Sequence, residues 1–262
     1  MNENNNCPIF ILNLQSEKGK LIKTIDEIRK VNLFNNIIIR NAIPEDKAKE
    51  NNFDFISYKA FNNITKNLES IDILPTWGAV GCAMSHFNCW KDMLNSNIPY
   101  GIICEDDIKI NDIEKFKFNY FTSLNYVKKT KPAFISFNSV YNSSYGNENL
   151  AKINSMFTGT SCYILNIGAI KKLLNIIPLT YQIDLAIGMI SNTLDIDCRI
   201  FNDNSIENYN HISSTQYYFI KLNDLKNILK NKLPIEIIIK IYSYLPSKKL
   251  LKENFYYNNL KL

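Results

Sequence analysis

The chain has 262 residues, 46% of them hydrophobic, which is enough to bury a full α/β core, and it holds no 18-residue apolar stretch that would span a membrane. Its formal net charge of +5 lies entirely in residues 221–262, where nine Lys face only Asp224, Glu236 and Glu253; residues 1–220 sum to −1. With three Arg in all (Arg29, Arg40 and Arg199), nothing suggests a nucleic-acid groove, and a start with no basic region and an apolar run of only residues 7–14 does not read as a signal peptide.

Taken in order, the elements alternate. Residues 9–14 read as a strand. Leu21, Ile22, Ile25, Ile28 and Val31 recur at helical spacing, and residues 37–39 form a second strand. Residues 41–76 are polar and irregular, long for a passive loop, and are expected to fold over a ligand. Residues 77–94 predict a helix, with Pro75 near its start, and residues 100–104 a buried strand. Residues 116–127 are mostly helix and 133–137 strand; the Asn- and Ser-rich stretch 138–149 is a loop. Residues 161–165 form a strand, and Asn166 is placed to cap a helix over 167–177. A short helix over 183–191 and a strand over 196–201 follow. Such alternation implies a three-layer α/β domain, expected over residues 1–215, with a helical basic tail over 216–262. The six cysteines show no C-x-x-C spacing and sit in apolar contexts, so they read as buried free thiols in a reducing compartment.

The most informative feature is Glu105-Asp106-Asp107, which ends the apolar run Tyr100-Gly101-Ile102-Ile103-Cys104. Carboxylates at the end of a buried strand repel one another, and desolvation raises their pKa unless a cation neutralises them. A divalent metal with oxygen ligands is the simplest neutraliser, and the carboxyl ends of strands are where open α/β sheets bind ligands. Strand alternation would set Glu105 and Asp107 on one face and Asp106 on the other, an arrangement able to hold Mg²⁺ or Mn²⁺ against a nucleotide diphosphate. The plain alternative is a charged turn after a strand.

The surroundings add a second signal. Gly81-Cys82 and Ser85-His86 lie in one helix, shortly before the strand that ends in the acidic triplet. Tyr163-Ile164-Leu165 is followed by Gly168-Ala169, Leu173-Leu174, Pro178 and Asp184. Over roughly residues 8–214 this arrangement resembles glycosyltransferase family 25, the lipooligosaccharide and collagen-galactosyltransferase group. The resemblance implies the GT-A nucleotide-sugar fold and an inverting, metal-dependent transfer of a hexose from a nucleotide sugar, UDP-linked by expectation, to a glycan or protein hydroxyl. One departure stands out: the family has an Arg a few residues after the Asn13-Leu14 position, where this chain offers only Lys18 and Lys20. Arg grips phosphate bidentately, whereas Lys is a point charge.

Within this resemblance Asp107, Glu105 and His211 are the candidate ligands of Mn²⁺ or Mg²⁺. Glu105, Asp106, His86, Ser85 and Asn13 are candidates for donor contact, and Asp184 for the catalytic base. Each has a structural alternative. His86 could be a hydrogen-bonded core histidine, His211 an exposed loop residue, and Asp184 the N-cap of a helix from Leu185. Asp195 and Asp197 form a second D-x-D, but flanking Ile196 and Cys198 point to entry into a strand.

The tail carries a weaker resemblance. Leu233-Pro234-Ile235-Glu236-Ile237 looks like the start of an F-box, a module that binds a ubiquitin-ligase adaptor, although too little chain follows for a full one. A second hypothesis is therefore a degenerate transferase scaffold that recruits such an adaptor. Scarce Arg beside abundant Asn, Ile, Lys, Tyr and Phe points to an AT-rich genome, such as that of a large DNA virus of a eukaryote or of a protist. The expected location is the cytoplasm, the host's if the chain is viral.

Overall fold

The computed structural model describes residues 7–50, 54–66, 68, 73–129, 131–138, 149–153 and 159–209; His211 and the F-box-like tail over 216–262 lie outside the described residues. Strand β1 (Ile9–Asn13) is apolar and buried on both faces, the signature of a strand covered by helices above and below. It pairs in parallel with β2 (Ile37–Asn41) and β3 (Tyr100–Glu105). Beyond β3 the sheet continues through β7 (Cys162–Asn166), β5 (Ala133–Ser136), β8 (Asp197–Phe201) and β6 (Leu150–Lys152). The pairings make β7 and β6 antiparallel to the other five strands. Thus β1, β3 and β5 all deliver their carboxyl ends to the same edge. A separate antiparallel ribbon joins β4 (Ile108–Ile110) to β9 (Ile206–Asn208).

Alternation along each strand splits the core in two. Phe10, Leu12, Ile103, Phe134, Tyr163 and Leu165 face one layer, which holds α4 (Trp77–Asn95), α6 (Ile167–Leu173) and α7 (Ile183–Ile190). Ile9, Ile11, Ile102, Cys104, Ile135 and Ile164 face the other, against α1 (Lys18–Val31) and α5 (Ile113–Val127). The chain is therefore a mixed α/β domain with helices on both faces of its large sheet.

Some sequence expectations are corrected. The stretch 41–76 is not wholly irregular: it contains α2 (Glu45–Glu50) and α3 (Tyr58–Thr65), the latter capped by Ser57, whose hydroxyl accepts from the Ala60 N–H at 3.2 Å. Helices this short complete too few turns to show a period. Strands β4, β6 and β9 have three residues each, too few for alternation to show. The helix after Asn166 stops at Leu173 and ends in a 3-10 turn over Leu174–Ile176, because Ile177 precedes Pro178 and is extended at φ −74°, ψ 138°. Helix α7 already begins at Ile183, so Asp184 lies in its first turn and is not an N-cap for Leu185.

Asn166 does more than cap. Its Oδ1 accepts from the Ala169 N–H at 3.0 Å and the Ala133 N–H at 3.2 Å. Its Nδ2 donates to the carbonyls of Val127 at 3.2 Å and Lys131 at 2.9 Å. One buried amide thus ties β7, α6 and the turn between α5 and β5. Asn166→Ala is expected to cost about 1–3 kcal/mol in denaturant unfolding, because it removes a cap and orphans buried backbone groups. A loss within a few tenths of wild type would show that water replaces these bonds freely.

Candidate active site

Parallel pairing places Leu12 of β1 beside Glu105 of β3, so Asn13 arrives next to the acidic triplet. Strand β3 ends at Glu105, and Asp106 and Asp107 form the turn into β4. Strand alternation stops there, and each carboxylate finds its own partner. Asp106 accepts from Asn13 Nδ2 at 2.5 Å. Asp107 accepts from Asn208 Nδ2 at 2.9 Å, and Asn208 in turn accepts from Asn138 Nδ2 at 2.7 Å. Glu105 turns toward α4, its Oε1 lying 3.6 Å from His86 Nε2 and 3.9 Å from Cys82 Sγ.

Helix α4 reaches this edge because of Gly81. A Cβ there would stand 2.4 Å from the Ile43 carbonyl oxygen, so only glycine lets the helix approach the segment after β2. Ser85 locks the contact: its hydroxyl donates to the Gly81 carbonyl at 2.6 Å and accepts from the Ile43 N–H at 2.8 Å. Ser85 is buried and both its bonds go to backbone, so the structure gives it a positioning place rather than an open one. His86 is buried one residue on, with Nδ1 hydrogen-bonded at 2.8 Å to the Tyr163 hydroxyl, and that hydroxyl accepts from Trp90 Nε1 at 2.9 Å. His86 is therefore fixed to the core by one ring edge while the other faces Glu105.

Asp184 is brought to the same place from 77 residues downstream of Asp107. Its Oδ1 accepts from the Leu185 N–H at 2.8 Å. Burial pushes its pKa up to about 6, the Glu105 charge adds to this, and N–H groups of Leu185 and Gly159 oppose it. Gly159 can sit there only as glycine, with φ +145° and the Asn138 carbonyl where a Cβ would be. Burial likewise pushes Asp107 up to about 7, helped by the charges of Glu105 and Asp106 and opposed by Asn208 and Lys20. Asp106 is raised by burial and restrained by Asn13 and Lys20. The Cys82 thiol is held well above its ordinary range, first by burial and then by the charges of Glu105, Asp184 and Asp107. Carboxylates from β3, its following turn and α7 thus all act on one thiol, with Glu105 nearest at 3.9 Å.

The sequence candidates divide accordingly. Glu105, Asp106, Asp107, Asn13, His86 and Asp184 meet at the carboxyl edge of the sheet; Ser85 lies behind it; His211 is outside the described residues. Asp197 pairs with Arg199 at 3.0 Å at the start of β8, as a strand-entry residue would. Sequence reasoning missed Cys82, Asn138, Gly159 and Asn208. Asn138 carried a usable signal, since it follows a strand that ends at the same edge. Asn208 carried none, because β9 is too short to announce itself.

An oxygen-rich cluster in which Asp107 and Asp184 take up protons near neutrality fits a hard divalent cation: Asp107 engages one oxygen with a neutral amide, and among the described residues Lys20 is the cation that offsets the charge on both Asp106 and Asp107. The folded pKa values of Asp107 and Asp184 lie above the ordinary aspartate value of 3.8, so the folded state binds protons more tightly than the unfolded state. Their contribution is most favourable below the unfolded pKa and is lost as pH rises through about 6 to 7. The melting temperature in chelator is expected to fall as pH is raised through that interval. Mn²⁺ is expected to restore it at the upper end and to have little effect at the lower end. Asp107→Asn with Asp184→Asn should flatten the slope; a wild-type melting temperature that climbs over the interval contradicts the assignment.

Residues 6–187 match the family model of glycosyltransferase family 25 (LPS biosynthesis protein). No relative is found among curated protein sequences. Among solved structures, one similar chain is a glycosyltransferase involved in the glycosylation of the major capsid of PBCV-1, at 11% identity and TM-score 0.33, with 65% of this chain and 66% of that one covered. Another is mouse xyloside xylosyltransferase 1 in its apo form, at 10% identity and TM-score 0.34, covering 72% and 82%. This chain spans just under two thirds of the first structure. Likeness at these scores says nothing of mechanism.

Proposed function

This chain belongs to glycosyltransferase family 25, and we propose that it is a glycosyltransferase that moves a hexose from a UDP-sugar to a hydroxyl of a glycan or protein with inversion at C1. The observation that carries the reading is that Glu105 and Asp107, at the carboxyl end of β3, and Asp184, in the first turn of α7, lie near enough for the Glu105 charge to raise the proton affinity of the other two. Two carboxylates there have raised proton affinities, and environments of that kind mark functional sites.

In this reading Asp107 would hold Mn²⁺ or Mg²⁺, with Glu105 in its outer shell. When bound, such an ion supplies electrostatic stabilisation of the departing diphosphate. Lys20, in the first turn of α1 and near enough to restrain both Asp106 and Asp107, offers the remaining positive charge to the phosphates where the family has an Arg. Asp106, steadied by Asn13, and Glu105, facing His86, line the donor side.

Asp184 acts as base. Its carboxylate takes the proton of the acceptor hydroxyl while that oxygen bonds to C1, and the C1–O bond to the diphosphate breaks with its electron pair leaving on the nucleotide. A pKa of about 6 suits this role: the group is largely ionised at neutral pH, yet more basic than an exposed carboxylate. The Gly159 and Leu185 N–H groups hold it in place.

The experiment is turnover of UDP-glucose, UDP-galactose, UDP-N-acetylglucosamine and GDP-sugars with Mn²⁺. Asp184→Asn should lower kcat on the order of a hundredfold or more with little change in donor affinity. Wild-type kcat should climb as pH rises through about 6, and that limb should vanish in the variant. Persistent turnover in Asp184→Asn moves the base elsewhere. Asp107→Ala should abolish Mn²⁺-dependent UDP binding in calorimetry; unchanged affinity removes the metal from Asp107.

A further inference from the structure

We propose that Cys82, His86 and Glu105 form a second cation site, one for a thiophilic ion such as Zn²⁺. Cys82 and His86 stand four residues apart on α4 and so share a helix face. Glu105 closes the triangle from the end of β3. Sγ, a ring nitrogen and a carboxylate oxygen all lie within 4.8 Å of one another, with nitrogen to oxygen at 3.6 Å and sulfur to oxygen at 3.9 Å. Tetrahedral zinc with ordinary bond lengths would require about 3.3 Å and about 3.5 Å for those two edges. Those two edges need an inward shift of a few tenths of an ångström, and the sulfur-to-nitrogen edge, which lies within 4.8 Å, must contract to about 3.5 Å, leaving a fourth position open.

A second observation points to a ligand. His86 is fully buried, yet its Nε2 has no hydrogen-bond partner. Trp90 can only donate, so it uses one lone pair of the Tyr163 hydroxyl. That hydroxyl can either give its proton to Nδ1 or accept one from it. In the first case Nε2 carries an orphaned N–H, 3.6 Å from Glu105 and too far for a hydrogen bond. In the second, Nε2 presents a bare lone pair toward a thiol and a carboxylate. A metal uses that lone pair and selects the second tautomer, with Nδ1–H donating to Tyr163 as an orienting bond.

The donor set decides the ion. Thiolate and imidazole favour zinc over magnesium or manganese, whereas the oxygens of Asp107 favour the reverse. Cys82 is half-buried as a residue and Glu105 is 32% exposed, so the cluster borders solvent on the Glu105 side. On binding, the Cys82 S–H bond breaks, its proton passes to solvent, and sulfur bonds to the metal with no change of oxidation state. The inference uses the same edge as the donor-site reading, where Cys82 and His86 stand beside Glu105: zinc at this site would withdraw that carboxylate from the donor pocket and inhibit transfer.

The test uses the full chain, free of metal and donor. Added Co²⁺ is expected to give a thiolate-to-cobalt charge-transfer band in the near ultraviolet that saturates at one equivalent and is bleached by Zn²⁺. Cys82→Ser should lose the band, and Tyr163→Phe should weaken cobalt binding about 10- to 100-fold. In wild type, cobalt binding should also release about one proton per ion from the Cys82 thiol, read with a pH indicator in weak buffer, which keeps the test decisive if a variant fails to fold. No saturable band in wild type, a band that persists in Cys82→Ser, or binding without proton release overturns the site. In a separate arm, Zn²⁺ should inhibit Mn²⁺-supported transfer, and Cys82→Ser should raise the half-inhibitory concentration at least tenfold. Cobalt binding without any transferase activity would leave this site standing and refute the donor reading instead.

Discussion

The arrangement of this site depends on one electrostatic constraint: carboxylates gathered at a sheet edge with little positive charge among the described residues to balance them. Glu105, Asp106 and Asp107 follow one another in the chain, and Asp184 joins them through folding. Burial makes the charges of Asp106, Asp107 and Asp184 more costly than they would be in water, and the neighbouring Glu105 charge raises their proton affinity further. The apolar strands force the crowding, because β1 and β3 are buried on both faces and can place polar side chains only at their ends.

What surrounds the acids is mostly neutral. Asn13, Asn138 and Asn208 form amide donors and a relay that orient Asp106 and Asp107. Such hydrogen bonds favour the ionised form, but burial and repulsion outweigh them at both residues. Of the three Arg, Arg40 pairs with Asp92 and Arg199 with Asp197, so two are spent on structural contacts. Lys20 supplies charge without bidentate geometry. A site built in this way orients its carboxylates firmly and leaves their charge available.

On the opposite side the constraint is steric. Gly81 permits backbone contact between α4 and Ile43, and Ser85 pins it, so Cys82 and His86 reach Glu105. Tyr163 and Trp90 then fix the His86 ring from within the core. The Gly-Cys and Ser-His pairs therefore split their labour: glycine and serine set the helix position, while cysteine and histidine face the acid.

Much of this was legible from residue order. Five-residue strands with both faces apolar, the long helix over Trp77–Asn95, the cap at Asn166 and the acid triplet all carry local signals that a chain displays before it folds. The tertiary structure decided the partners. Alternation suggested that Glu105 and Asp107 would act from one face, but a turn begins at Asp106, and turns do not obey a two-residue period. The meeting of Asp184 with Glu105, of Asn208 with Asp107 and of Gly159 with Asp184 spans long stretches of chain, and no local pattern encodes it. Local sequence determined which groups stand at strand ends, because burial and hydrogen bonding act over neighbouring residues; which of those groups share a site was decided only when the sheet order brought those ends to one edge.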